Sequence, residues 1–179
     1  MSEKIGCLYR VDPNGRATNF ASGFVVSNGP SFSPDGRTMY HTVSDERTIY
    51  AHDLDTESGL VRNPRVFAKF DEKDGWPDGS TVDAEGHLWT THWGAARITR
   101  YAPNGRVDRV IEMPVKNTTS CAFGGEAMDT LFVTTASMEF ENGREVYMND
   151  AGFAAAPMAG AIFSVDVGVR GLAEPAFHA

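Results

Sequence analysis

A chain of 179 residues, 41% apolar and 22% charged, with 18 Gly and 9 Pro, has a globular composition, which excludes collagen, coiled coil and bulk disorder. Its net charge of −8, from 16 Lys and Arg against 24 Asp and Glu, repels phosphate backbones and anionic lipid, so neither nucleic acid nor a membrane is an expected partner. No run approaches the roughly 20 apolar residues of a membrane helix and no secretory leader is visible after Met1, so a cytoplasmic location is expected.

No segment carries apolar residues at helical spacing over three turns. Val, Ile, Thr, Tyr, Phe and Trp instead alternate with period 2, which predicts an all-β chain. The first predicted strand lies in Gly6-Cys-Leu-Tyr-Arg-Val11 and belongs to a half unit at about 6–23. A full unit over about 24–70 follows. It has a short run ending at Phe32, the turn Ser33-Pro-Asp-Gly36, a second run reaching Ser44, and third and fourth runs at Thr48–Asp55 and Arg65–Phe70.

The next unit, about 76–113, repeats this order with Ser80-Thr-Val82, the turn Asp83-Ala-Glu-Gly86 and a second run reaching Trp93, then Arg97–Gly105 and Arg106–Met113. A last unit at about 117–177 has Thr119–Phe123, Leu131–Thr135 and Ala161–Asp166. Gly36 to Gly86 is 50 residues, and Tyr40 to Tyr50 matches Trp89 to Thr99, whereas Phe132 to Phe163 is 31. An excursion at 137–160 accounts for the extra length and reads as a surface loop. Four strands per unit is the grammar of a β-propeller blade, and about three and a half blades fall short of the four to eight at which propellers close. The chain therefore reads as one partial propeller domain over 1–179, with N-terminal blades missing.

In a propeller the start of each inner strand reaches the mouth of the central channel. The repeat sets Asn28 level with Asp78, and Thr119 at the equivalent place in the last unit. Two readings stay open. Asn28-Gly29 and Asp78-Gly79 suit turns, as Asp35-Gly36, Glu85-Gly86 and Asn104-Gly105 do between strands. Alternatively, an amide oxygen and a carboxylate converge there as donors for a hard divalent cation, Ca²⁺, Mg²⁺ or Mn²⁺ rather than zinc.

Other candidates carry less. His41, His52, His87, His92 and His178 pair with no recognisable nucleophile motif. Trp76, Trp89 and Trp93 serve either to pack blades or to stack on a sugar. Cys7 and Cys121 lie too far apart for a Cys-x-x-Cys motif and read as small buried apolar residues.

Taken together, Ser27-Asn-Gly-Pro30, Gly75-Trp-Pro-Asp-Gly79, Thr119-Ser-Cys-Ala-Phe-Gly-Gly125, Leu131-Phe-Val-Thr-Thr135 and Gly168-Val-Arg-Gly171 resemble the senescence-marker-protein, gluconolactonase and regucalcin-like family over essentially the whole chain. The resemblance implies a six-bladed propeller that hydrolyses sugar lactones to aldonic acids around one divalent metal ion (Ca, Mn, Zn, Mg or Fe). It assigns Asn28 and Asp78 as metal ligands, with Asp78 also the catalytic general base. The family's ligand Glu, and its Arg and Asn that contact the sugar, belong to blades upstream of residue 1. The alternatives are a non-catalytic calcium-binding or interaction propeller, and an inactive fragment lacking the ligand Glu. An opened propeller is also expected to self-associate through its blade edges.

Overall fold

A computed structural model describes residues 3–141, 144–147 and 156–175. The described residues form fifteen strands and no α-helix; two short 3₁₀ turns, Ser44–Glu46 and Glu72–Asp74, interrupt them. No described helix is long and apolar enough to cross a membrane.

Strands β1 (Gly6–Val11) and β2 (Ala17–Phe24) form a two-stranded antiparallel sheet. Strands β3 (Ser27–Phe32), β4 (Thr38–Val43), β5 (Thr48–Leu54) and β6 (Val61–Lys69) form a four-stranded meander, and β7 (Trp76–Val82), β8 (Leu88–Trp93), β9 (Arg97–Tyr101) and β10 (Val107–Glu112) form a second. In the last sheet, β11 (Thr118–Gly124) and β12 (Thr130–Thr135) are joined by β15 (Ile162–Asp166). The described part of this sheet holds three strands where four were expected, because after Asp166 the chain turns away and Gly171 bridges to Asp83.

The turns follow their chemistry. Gly36, Gly86 and Gly105 each close a turn by donating their N–H three residues back, to Ser33, Asp83 and Ala102, at φ of 69°, 82° and 81°. Register repeats with them: Tyr40 pairs with Ala51, Trp89 with Arg100 and Phe132 with Ser164, so the extra length of the last unit falls between its second and third strands. Part of that excursion is a hairpin, β13 (Met138–Glu141) with β14 (Arg144–Tyr147); residues 142–143 and 148–155 lie outside the described residues.

Second strands β4 and β8 are buried along most of their length, because each is covered on both faces by neighbouring blades. Two apolar clusters fill the seams. Tyr40, Ile49, Ala51, Ala68, Phe70, Val82, Leu88 and Tyr101 join the first four-stranded sheet to the second. Trp89, Ile98, Met113, Cys121, Leu131, Val133 and Val167 join the second to the last sheet. At the outer side of the second seam Arg100, 4% exposed, bonds Asp83, Glu85 and Asp108, and the Trp89 indole N–H donates to Asp83, so the buried guanidinium is fully engaged. Cys121 is buried as expected and its thiol is pushed up to about 12 by that burial, whereas Cys7 is only half-buried and bonded by Asn19.

Candidate functional site

The inner strands converge as the repeat requires, with β7 packed between β3 and β11. Asn28 lies within β3 and Asp78 within β7, each at an irregularity in its pairing, between Asn28 and Ser31 and between Pro77 and Ser80. Neither is in a hairpin turn, so the turn reading of Asn28-Gly29 and Asp78-Gly79 is set aside. The glycine after Asp78 has a packing role: a Cβ on Gly79 would stand 2.7 Å from the Ser120 Cα of β11. Ser31 and Ser80 hydroxyls meet at 2.8 Å and join β3 to β7 on the same level.

Asn28 and Asp78 line one cavity of about 590 Å³, together with Val26, Ser44, Asp45, Trp76, Pro77, Trp93, Gly94, Lys116, Asn117 and Met138. The wall is largely apolar and aromatic with a few convergent polar groups, the usual character of a small-molecule site. Trp76 is 42% exposed on this wall, with the Arg47 guanidinium 4.3 Å from its ring centroid. Trp89, by contrast, is fully buried in the seam behind.

The two oxygen donors are set by what surrounds them. Asn28 Nδ2 donates to Ser44 Oγ at 2.9 Å, and the Ser44 hydroxyl donates in turn to the Pro77 carbonyl at 2.7 Å. That relay fixes which end of the Asn28 amide is the oxygen and couples β3 to the residue before Asp78. Burial pushes the Asp78 carboxyl up to about 6, partly offset by a hydrogen bond from the Gly79 backbone. A carboxylate desolvated to this degree is suited to receive a positive charge, and Lys116 lines the same wall. Among the described residues no three His, Cys, Asp or Glu side chains converge; the oxygen donors that line the cavity beside Asp78 include the Asn28 amide and the Asp45 carboxylate.

The last unit contributes differently from its expected place. Thr119 bonds Thr134 at 2.7 Å, away from the cavity, and it is Lys116 and Asn117, just ahead of β11, that line the wall. The alignment of the repeats points to Thr119 and leaves Asn117 unmarked. Ser44 was missed for a similar reason, since a lone serine after β4 has no counterpart in the other units. None of the described histidines lines the wall: His41 Nε2 bonds Ser27 Oγ at 2.8 Å, His92 Nδ1 bonds the Asp74 carbonyl at 2.8 Å, and both rings are almost completely buried, while His178 lies outside the described residues.

Residues 1–137 match the model of the SMP-30/Gluconolactonase/LRE-like region. The chain is 34% identical over 169 residues to pentonolactonase XacC of Haloferax volcanii, covering 94% of this chain and 57% of that protein. It is 36% identical over 174 residues to 6-deoxy-6-sulfogluconolactonase of Pseudomonas putida, at 96% and 56% coverage. A solved structure of the calcium-binding protein regucalcin from Agrobacterium tumefaciens superposes with a TM-score of 0.87 at 32% identity, over 98% of this chain and 57% of that one. The chain thus spans a little over half the length of the relatives it matches. With a family model covering more than half the sequence, the same inner-strand geometry and these relatives, the chain belongs to the SMP-30/gluconolactonase/regucalcin-like family.

Proposed function

We propose that this chain carries the Asn28 and Asp78 portion of a metal-dependent sugar lactone hydrolase, with Asp78 as general base. The observation that carries the reading is the meeting of a largely desolvated carboxylate and an orientation-locked amide oxygen on one aromatic-walled cavity. The names of the relatives supply the substrate class: a pentonolactonase and a sulfogluconolactonase act on sugar lactones.

The residues fit a divalent cation. Asn28 Oδ1 is free to ligate because its Nδ2 is committed to Ser44, and Asp78 gains from a positive neighbour what burial costs it. A cation held there supplies Lewis acidity toward the lactone carbonyl and lowers the pKa of water. The chain's own residues do the rest. Asp78 takes a proton from the water whose oxygen adds to the lactone carbonyl carbon. As the ring C–O bond breaks, the ring oxygen leaves as an alcohol and receives that proton, giving the aldonic acid. Asn28 cannot share this role, since an amide takes up no proton near pH 7. Trp76 and Trp93 line the cavity, and indole rings suit the C–H side of a sugar.

The test is Asp78→Asn. In the 179-residue chain, Ca²⁺ or Mn²⁺ at a hundredfold excess over its Kd should raise the melting midpoint by roughly 5–10 °C, and the variant should lose that rise. In the full-length protein the same change should lower sugar lactone turnover by about 10²- to 10⁴-fold. Undiminished turnover overturns the assignment. A metal-dependent rise in an unaltered protein that hydrolyses no sugar lactone points to calcium binding without catalysis.

A further inference from the structure

Asn117 is 2% exposed and lines the same cavity as Asn28 and Asp78, yet only one of its two polar atoms is engaged. Its Nδ2 donates to the Met138 carbonyl at 2.6 Å, while Oδ1 has no hydrogen-bond partner among the described residues. Turning the amide over does not help, because Oδ1 would then face the Met138 oxygen, acceptor against acceptor. A buried acceptor held rigidly without a donor is costly to the fold, and such an atom calls for a ligand that brings the donor.

The place of Asn117 narrows the ligand. Asn28 and the residue before Asp78 are tied together through Ser44 on the β3 and β7 side. Asn117 stands outside that relay, ahead of β11, with Met138 behind it and Trp76 and Trp93 on the shared wall. A neutral acceptor among aromatic faces matches a polyhydroxylated ring, whose C–H surface packs on indole while an O–H donates. We infer that Asn117 Oδ1 accepts a hydrogen bond from a hydroxyl of the lactone, making Asn117 a specificity-determining residue that favours hydroxylated over deoxygenated lactones. The inference rests on the lactone hydrolase reading. A site built to bond a substrate hydroxyl discriminates strongly against the analogue that lacks it, since the acceptor is then left unmet.

The experiment compares a sugar δ-lactone with δ-valerolactone, which has the ring and no hydroxyls, in the full-length protein and its Asn117→Leu variant. The unaltered protein should prefer the sugar lactone, and the variant should reduce the ratio of the two kcat/KM values by 10- to 100-fold. The rise in melting midpoint with Ca²⁺ should survive the substitution. An unchanged ratio overturns the inference, and so does loss of the Ca²⁺ effect, which would make Asn117 a cation ligand. If the unaltered protein turns over neither lactone, the hydrolase reading fails and takes the inference with it. A measurement without any variant stands beside this: the aldonate product should raise the melting midpoint and 5-hydroxypentanoate should not. Equal shifts from the two acids overturn the inference.

Discussion

Ser44 carries no charge, yet it decides how Asn28 presents itself. Its hydroxyl accepts from Asn28 Nδ2 and donates to the Pro77 carbonyl, so one side chain sets the orientation of an amide on β3 and steadies the backbone leading to Asp78 on β7. Replacing it by alanine leaves Nδ2 without its acceptor, and the Asn28 amide then turns freely, presenting N–H as often as oxygen to the cavity. Ser44→Ala should weaken Ca²⁺ affinity by about 10-fold, within the range known for residues that orient metal ligands, and should cost about 1 kcal/mol of stability without metal. Calorimetric titration of the 179-residue chain checks the first and urea unfolding the second; unchanged affinity would remove Ser44 from the site. At this scale the sequence was only partly legible. Asn28 and Asp78 stood out because two units 50 residues apart place them in the same frame. Ser44 and Asn117 did not, because each works through a contact made by the meeting of separate elements, Pro77 in one case and Met138 in the other. Spacing within one unit carries no trace of such a contact.

Among the elements, order and register were legible, since apolar alternation and the Gly-centred turns recur and each blade pairs almost wholly with itself. What escaped was the content of the excursion after β12, where Met138–Glu141 and Arg144–Tyr147 pair locally and follow no repeat. The edges have consequences of their own. Among the described residues β15 pairs on one side only, with Ile162 70% exposed, and β1 at the other end of the chain leaves Tyr9 and Val11 more than half exposed. Open strands with apolar outward residues template pairing with another chain. The 179-residue chain should therefore elute as a dimer or larger species in size-exclusion chromatography with light scattering. Ile162→Lys, a charge on the edge, should shift it toward monomer. A monodisperse monomer of the unaltered chain would contradict this.

Two buried imidazoles, one against Phe24 and one against Phe70, tie the stability of the whole molecule to pH. His41 in β4 and His92 in β8 are both held neutral by burial, which lowers each to about 4 from an ordinary 6.5; His52 adds repulsion to the first, and for the second the Asp74 carbonyl offers only partial relief. Because the folded values lie below the unfolded one, each imidazole's contribution is complete above pH 6.5 and is lost as pH falls from about 6.5 to about 4, on the order of 3 kcal/mol apiece. Asp78 acts with the opposite sign in the metal-free chain. Its folded value of about 6 exceeds the ordinary 3.8, so between these it favours the folded state as pH falls, by on the order of 3 kcal/mol. Two terms against one leave a net loss of order 3 kcal/mol between pH 7 and pH 4.5. Urea midpoints measured with chelator should fall over that range, and they should fall further in Asp78→Asn, where the opposing term is gone. His92→Gln should flatten the dependence, since glutamine keeps a polar side chain beside the Asp74 carbonyl without gaining a charge. Midpoints that hold steady from pH 7 to pH 4.5 in both the unaltered chain and Asp78→Asn would mean that water reaches these imidazoles, and that their surroundings are looser than the packing indicates.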